Sequence, residues 1–105
     1  MLGELEQLVL LAVLRVGDDA YGVPVHREIH RRAGRDLTLG TIYKTLSRME
    51  AKGLVASHLG EPTPERGGKA TRCYVVTAQG KRSLQTTFKM LRRMSADLDV
   101  GLEPT

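Results

Sequence analysis

Leu37-Thr38-Leu39-Gly40-Thr41-Ile42-Tyr43-Lys44-Thr45-Leu46-Ser47-Arg48-Met49-Glu50-Ala51-Lys52-Gly53 is the stretch whose reading decides the fold. Thr38 is a strong helix N-cap, because its hydroxyl can accept a bond from a backbone N–H of the first turn. Leu37 and Ile42 then take the two positions of a hydrophobic staple. The spacing predicts a helix from Leu39 to Lys52, stopped by Gly53. Ile42, Leu46 and Met49 recur at i, i+4 and i+7 and must face a core. Thr41, Tyr43, Lys44, Ser47 and Arg48 lie off that stripe, and none of the five is acidic.

Working outward toward the N-terminus, a second helix is expected from Tyr21 to Ala33, before Gly34. Pro24 fixes its start, since proline is tolerated only in the first turn. Val25 and Ile29 form its core-facing pair. A first helix is expected from Glu4 to Val16, with Glu4 and Glu6 at its dipole-favoured end and Gly17 as its stop. Its stretch Leu8 to Leu14 is apolar all round, so more than one side must be covered. A second copy of the chain is a natural cover.

Toward the C-terminus, Leu54 to Leu59 reads as a strand with Val55, Ser57 and Leu59 on one face, and Arg72 to Thr77 as its partner. Gly60 to Lys69, with two prolines and three glycines, reads as a long hairpin tip. A last helix starts after Thr77 and is expected to run to about Asp97. Leu84, Phe88, Leu91 and Leu98 fall along a coiled-coil-like seam, widened by Met90 and Met94. The expected fold class is mostly α with a small β-hairpin: a winged helix-turn-helix plus a C-terminal dimerisation helix. Residues 1–77 would form the winged unit and 78–105 the dimerisation helix and tail. Leu5, Leu8, Leu84, Phe88, Leu91 and Leu98 are the candidate dimerisation residues.

Length and charge narrow the function. A chain of 105 residues holds one modest core. The formal net charge is +4. Tyr21 to Gly60 carries seven basic and three acidic residues, whereas Met1 to Ala20 carries one basic and four acidic. The positive surplus therefore sits on the central helices, as a polyanionic partner would require. The lone Cys73 cannot form an internal disulfide, which suggests a reducing, cytoplasmic setting. Leu8 to Leu14 is seven residues long, against roughly 20 for a membrane span, and no membrane partner is expected.

Helix, helix, short turn, helix and hairpin is an order suited to duplex DNA. A helix fits the major groove, with its N-terminal residues at base edges. Thr41, Tyr43, Lys44, Ser47 and Arg48 would read the groove or hold phosphate. Arg66 and Lys69, around Gly67-Gly68, would grip the backbone from the hairpin tip. Tyr21 is either a packing residue at a helix start or a phosphate contact. The bland alternatives are a solvated helix face and a mobile loop tip, and the rival function is a winged-helix module that binds proteins. His26 and His30 have metal-ligand spacing, but Arg27, Arg31 and Arg32 around them disfavour a cation. No metal site and no cofactor is expected. Nothing forms a nucleophile–base–acid set, so an enzyme is not expected. Cys73 reads as a small strand residue, with redox sensing a minor alternative.

These motifs resemble the PadR-type transcriptional regulators. The resemblance rests on Leu2-Gly3-Glu4-Leu5-Glu6-Gln7-Leu8, Tyr21-Gly22, Gly40-Thr41-Ile42-Tyr43-Lys44-Thr45-Leu46, Lys52-Gly53-Leu54-Val55, and Arg66-Gly67-Gly68-Lys69 leading to Tyr74-Val75-Val76-Thr77-Ala78-Gln79-Gly80. It spans roughly Leu2 to Leu91. It implies a homodimeric repressor on a palindromic operator, paired through its first and last helices, with Tyr43 and Lys44 in DNA contact. It also implies a small hydrophobic effector near the dimer interface. The chain departs from the family pattern at Cys73, where an aromatic residue is common, and at Pro24.

Overall fold

Helix α1 spans Glu4–Val16 and opens with half of a capping box. Gly3 is the N-cap and has no side chain, but Glu6 at N3 reaches back, its Oε1 accepting the Gly3 N–H at 2.9 Å. A single 3-10 turn, Gly17–Asp19, leads to α2, Gly22–Ala33, which ends on Gly34 in the left-handed region at φ 64°. Pro24 is the third residue of α2, within the first turn as expected. Helix α3 covers Leu39–Ala51, and Thr38 caps it as expected, its Oγ1 accepting the Thr41 N–H at 3.0 Å. Gly53 follows at φ 78°. Strands β1, Val55–Leu59, and β2, Arg72–Val76, pair antiparallel, and α4 covers Ala78–Ser95. This is a computed structural model, and it describes residues 2–61 and 70–98.

One core joins the elements. Val9, Leu10 and Val13 of α1, Val25 and Ile29 of α2, and Ile42, Leu46 and Met49 of α3 are buried together with Leu54, Val55, Tyr74 and Leu84. Full burial of each large aliphatic side chain stabilises the fold by about 1.5–3 kcal/mol. Leu37 packs against the cluster that holds Ile42, as a staple at the start of α3 requires. The register sets Val55 opposite Val76, Ser57 opposite Tyr74 and Leu59 opposite Arg72. Tyr74 also donates its N–H to the Ala20 carbonyl at 2.9 Å, tying the hairpin to the α1–α2 connection.

The hairpin face and the end of α4 differ from expectation, and α2, α3, β1 and β2 each fall one residue short of an expected end, at Tyr21, Lys52, Leu54 and Thr77. The face Val55, Ser57, Leu59 is not uniformly covered: Val55 is buried, while Leu59 is 66% exposed. Only the root of a two-stranded sheet reaches the helices, so among the described residues the apolar side chain farther from the root is left uncovered. Helix α4 stops at Ser95 instead of about Asp97, because Ala96 turns extended and Asp97 adopts a positive φ of 60°. Leu98 therefore lies beyond the helix and off the expected seam. Leu84, placed in the same seam, is buried within its own protomer's core.

The α3–α4 junction is closely bonded. Thr77 Oγ1 donates to the Gly53 carbonyl at 2.6 Å, the Thr77 N–H to the Leu54 carbonyl at 3.0 Å, and Gln79 Nε2 to the Lys52 carbonyl at 3.3 Å. Thr77 Oγ1 also caps α4 by accepting the Gly80 N–H at 3.1 Å. The orphan carbonyls past the end of α3 are thus met by the start of α4. Gly80 makes this approach feasible, since a Cβ there would stand 2.2 Å from the Leu54 carbonyl oxygen.

Candidate nucleic-acid interface

The core stripe of α3 fixes what its other side presents. With Ile42, Thr45, Leu46 and Met49 buried, Gly40, Tyr43, Lys44, Ser47 and Arg48 are left to line one shallow concavity. Four of the five α3 residues proposed from sequence thus come together there. Thr41, the fifth, is half-buried and partly committed to the helix start: its Oγ1 accepts from Thr38 Oγ1 at 3.0 Å, and its carbonyl accepts from Thr45 Oγ1 at 2.8 Å.

The carboxylates of α2 and α3 are hydrogen-bonded to neighbouring side chains. Glu28 is occupied by Arg31 and Arg32, at 3.0 and 2.5 Å, and these bonds hold its carboxyl below the usual range. Glu50 accepts from Ser57 Oγ at 2.5 Å, and Ser57 Oγ accepts in turn from Arg72 at 2.9 Å. Neither Lys44 nor Arg48 is ion-paired to a carboxylate among the described residues. Arg48 lies near enough to Glu6 to help hold that carboxyl low, while Lys44 has no carboxylate partner among the described residues.

Tyr43 is positioned by a residue on another helix. Its ring lies over the N-terminus of α2, where a Cβ on Gly22 would stand 2.4 Å from both Cζ and the hydroxyl oxygen of Tyr43. Only glycine leaves room for the phenol there. Tyr21, the N-cap of α2, is half-buried beside this contact. Burial dominates at Tyr74, the third tyrosine, and pushes its phenol pKa up.

A second link joins the α3 C-terminus to α1. Lys52 Nζ donates to Glu6 Oε2 at 2.9 Å, while the other Glu6 oxygen holds the Gly3 N–H. The Lys52 bond, followed by the Gly3 bond, pulls the Glu6 carboxyl below its ordinary value against the opposing effect of burial. Arg35 pairs with Glu4 at the same end of α1. Sequence spacing gives no sign of the Gly22–Tyr43 or Glu6–Lys52 contacts, although Gly3-x-x-Glu6 at a helix start is a signal for Glu6.

Arg66 and Lys69, expected on the hairpin tip, lie outside the described residues. Of the expected dimerisation residues, Leu5, Leu8 and Phe88 are half-buried, while Leu91 and Leu98 are 49% and 64% exposed. Leu8 and Leu11 line a groove between α1 and α2 with Ala12, Ile29 and Ala33. His58 stands opposite Cys73 in the hairpin, and Cys73 is fully buried. Among the described residues, no cluster of three or more His, Cys, Asp or Glu could hold a metal ion, and no helix is long and apolar enough to cross a membrane.

Comparison with known proteins agrees with this architecture. A PadR family transcription regulator from hypervirulent Clostridium difficile is 26% identical, with a TM-score of 0.72 over 89% of this chain and 92% of that one. A PadR family transcriptional regulator from Eggerthella lenta is 25% identical, with a TM-score of 0.67 over 84% of this chain and 74% of that one. A PadR-like regulator from Bacillus cereus, 23% identical, shares the fold with a TM-score of 0.68 over 88% of this chain and 84% of that one. No curated protein matches the sequence. The model of the transcriptional regulator PadR-like family, a family of regulators and not of enzymes, matches residues 10–86. The winged-helix chain described above belongs to the PadR-like family of transcriptional regulators.

Proposed function

We propose that this regulator binds double-stranded DNA in a sequence-specific manner as a homodimer and represses transcription from a palindromic operator. The observation that carries this reading is the α3 concavity, where Lys44 and Arg48, which form no salt bridge among the described residues, stand beside Tyr43 and Ser47. In this reading α3 enters the major groove, Arg48 and Ser47 face base edges, and Lys44 holds phosphate. Thr41 and Tyr21 flank the contact, and Arg66 and Lys69 of the hairpin tip grip the adjacent backbone.

Residues 1–77 act as the DNA-binding unit, and α4 with its tail as the pairing element. Exposed Leu91 and Met94 on α4 and the groove at Leu8 and Leu11 support pairing through α1 and α4, with Leu5 and Phe88 at its edge. Such pairing sets half-sites about 34 Å apart or a multiple of it. A small hydrophobic effector at that interface would gate the regulator, which works in the cytoplasm.

The test is selection of tight-binding duplexes from a random pool, followed by binding titration with random-DNA competitor at two salt concentrations, with the mass in solution measured alongside. Competitor-resistant binding by a dimer, weakening with salt, is expected. Binding equal to that on random DNA would refute the reading. A protein partner held in high salt with no DNA bound in low salt would place the chain among protein-binding winged helices.

A further inference from the structure

Gly40 lies in the first turn of α3 and lines the concavity formed with Tyr43, Lys44, Ser47 and Arg48. With Lys44 and Ser47 it forms an i, i+4, i+7 stripe directly away from the buried side of the helix. Glycine destabilises a helix relative to alanine, because its backbone has the most freedom to lose. Five of the described glycines have internal reasons to be there, and Gly3 is an N-cap outside its helix. Gly17, Gly34 and Gly53 have positive φ, and a Cβ at Gly22 or Gly80 would collide with Tyr43 or with the Leu54 backbone. Gly40 has neither reason. Its φ is not positive, and a Cβ there would meet only Thr38 Oγ1, at an ordinary 3.8 Å. Nothing among the described residues excludes a side chain at this position.

We infer that the bare backbone at Gly40 serves the DNA: it is the point where a base-pair edge on the major-groove floor comes into van der Waals contact with α3. The inference rests on the reading of α3 as the groove-entering helix. Lys44 and Ser47 continue the same stripe, so an edge seated on Gly40 lies within reach of a cation and a hydroxyl. A methyl group at this position would hold the whole first turn away from the bases while leaving the protomer intact.

Gly40→Ala separates the two demands. Thermal unfolding and binding to the selected duplex and to random DNA are measured at one salt concentration, for this variant and the unmodified chain. The expected result is a higher Tm, by about 2–6 °C, with at least a tenfold loss of affinity for the selected duplex and less than a twofold change on random DNA. Unchanged affinity for the selected duplex overturns the inference. An equal loss on both DNAs also overturns it, by assigning Gly40 to a phosphate instead of a base edge. A lowered Tm would show an internal role for the glycine and overturn it as well. Failure of the unmodified chain to bind any duplex would refute the reading of α3 itself, an outcome visible before the variant is compared.

Discussion

Gly22→Ala should impair DNA binding while leaving the fold nearly as stable as before. The new Cβ would lie 2.4 Å from Tyr43 Cζ and from its hydroxyl oxygen. An ordinary contact needs about 3.5–4.0 Å, so the end of the ring must retreat by more than about 1 Å. It has somewhere to go, since Tyr43 is 39% exposed and the clash is with the far end of its side chain. Loss of ring packing is partly offset by replacing a glycine at the first position of a helix, worth about 0.4–1 kcal/mol. The Tm should move by only a few degrees. Binding should lose what the phenol contributes, about 1.5 kcal/mol for a hydrogen bond to a charged phosphate, or a little more than tenfold. The assay is a double-mutant cycle with Tyr43→Ala, read as affinity for the selected duplex. If Gly22 acts only by placing Tyr43, the alanine at 22 costs nothing further once the ring is gone. Additive losses, or a Gly22→Ala protein that binds like the unmodified chain, would refute the argument.

Other perturbations separate structural from DNA-facing roles. Gly80→Ala drives a Cβ to 2.2 Å from the Leu54 carbonyl oxygen, and overpacking against backbone should cost about 1–3 kcal/mol, read as a Tm lowered by at least about 5 °C; an unchanged Tm would mean that the junction yields. Glu6→Gln should cost about 1 kcal/mol at neutral pH through the weakened Lys52 bond. Because the Glu6 pKa is lowered in the folded state, its stabilisation is fully present above the ordinary value of 4.5 and fades as pH falls through the folded value. Denaturant titrations of the two proteins should therefore converge in acid, and a constant gap would contradict the assignment. Lys44→Ala should reduce the slope of log affinity against log salt by about one, with an unchanged slope arguing against a phosphate contact. Arg48→Ala should instead lower the preference for the selected duplex by about 1–3 kcal/mol; equal losses on random DNA would remove its base-reading role.

Local chemistry made α3 readable in advance. A Thr38 cap, the Leu37 and Ile42 staple, a stripe through Met49 and a terminal Gly53 all act within a few residues of one another, so spacing alone exposed them. The concavity followed, because fixing the buried side of a helix fixes its opposite side. Contacts between distant segments were less accessible. Gly22 and Tyr43 meet only after α2 and α3 cross, and Glu6 and Lys52 are 46 residues apart. The end of α4 was misplaced for a related reason: a coiled-coil-like periodicity continued to Leu98, while the backbone left the helix after Ser95. Periodicity records which side chains could align, and does not record where the backbone stops being helical. Leu84 shows the converse limit, since an apolar residue in a seam can be absorbed by its own protomer's core.

The bonded junction of α3 and α4 has a mechanical consequence. Gly53, Leu54, Thr77 and Gln79 leave little slack between the two helices. In a dimer joined through α4, as proposed, rocking of one arm against the other would be carried through this junction to the opposite end of the protomer. For reading heads set about 17 Å from the two-fold axis, half of one DNA turn, a tilt of about 5° sweeps each head through about 1.5 Å. That is enough to pull a side chain out of hydrogen-bonding range of a base. If the chain pairs through α4 and binds DNA as proposed, no large rearrangement is needed to release the site, and a slight change in the angle between the arms would suffice.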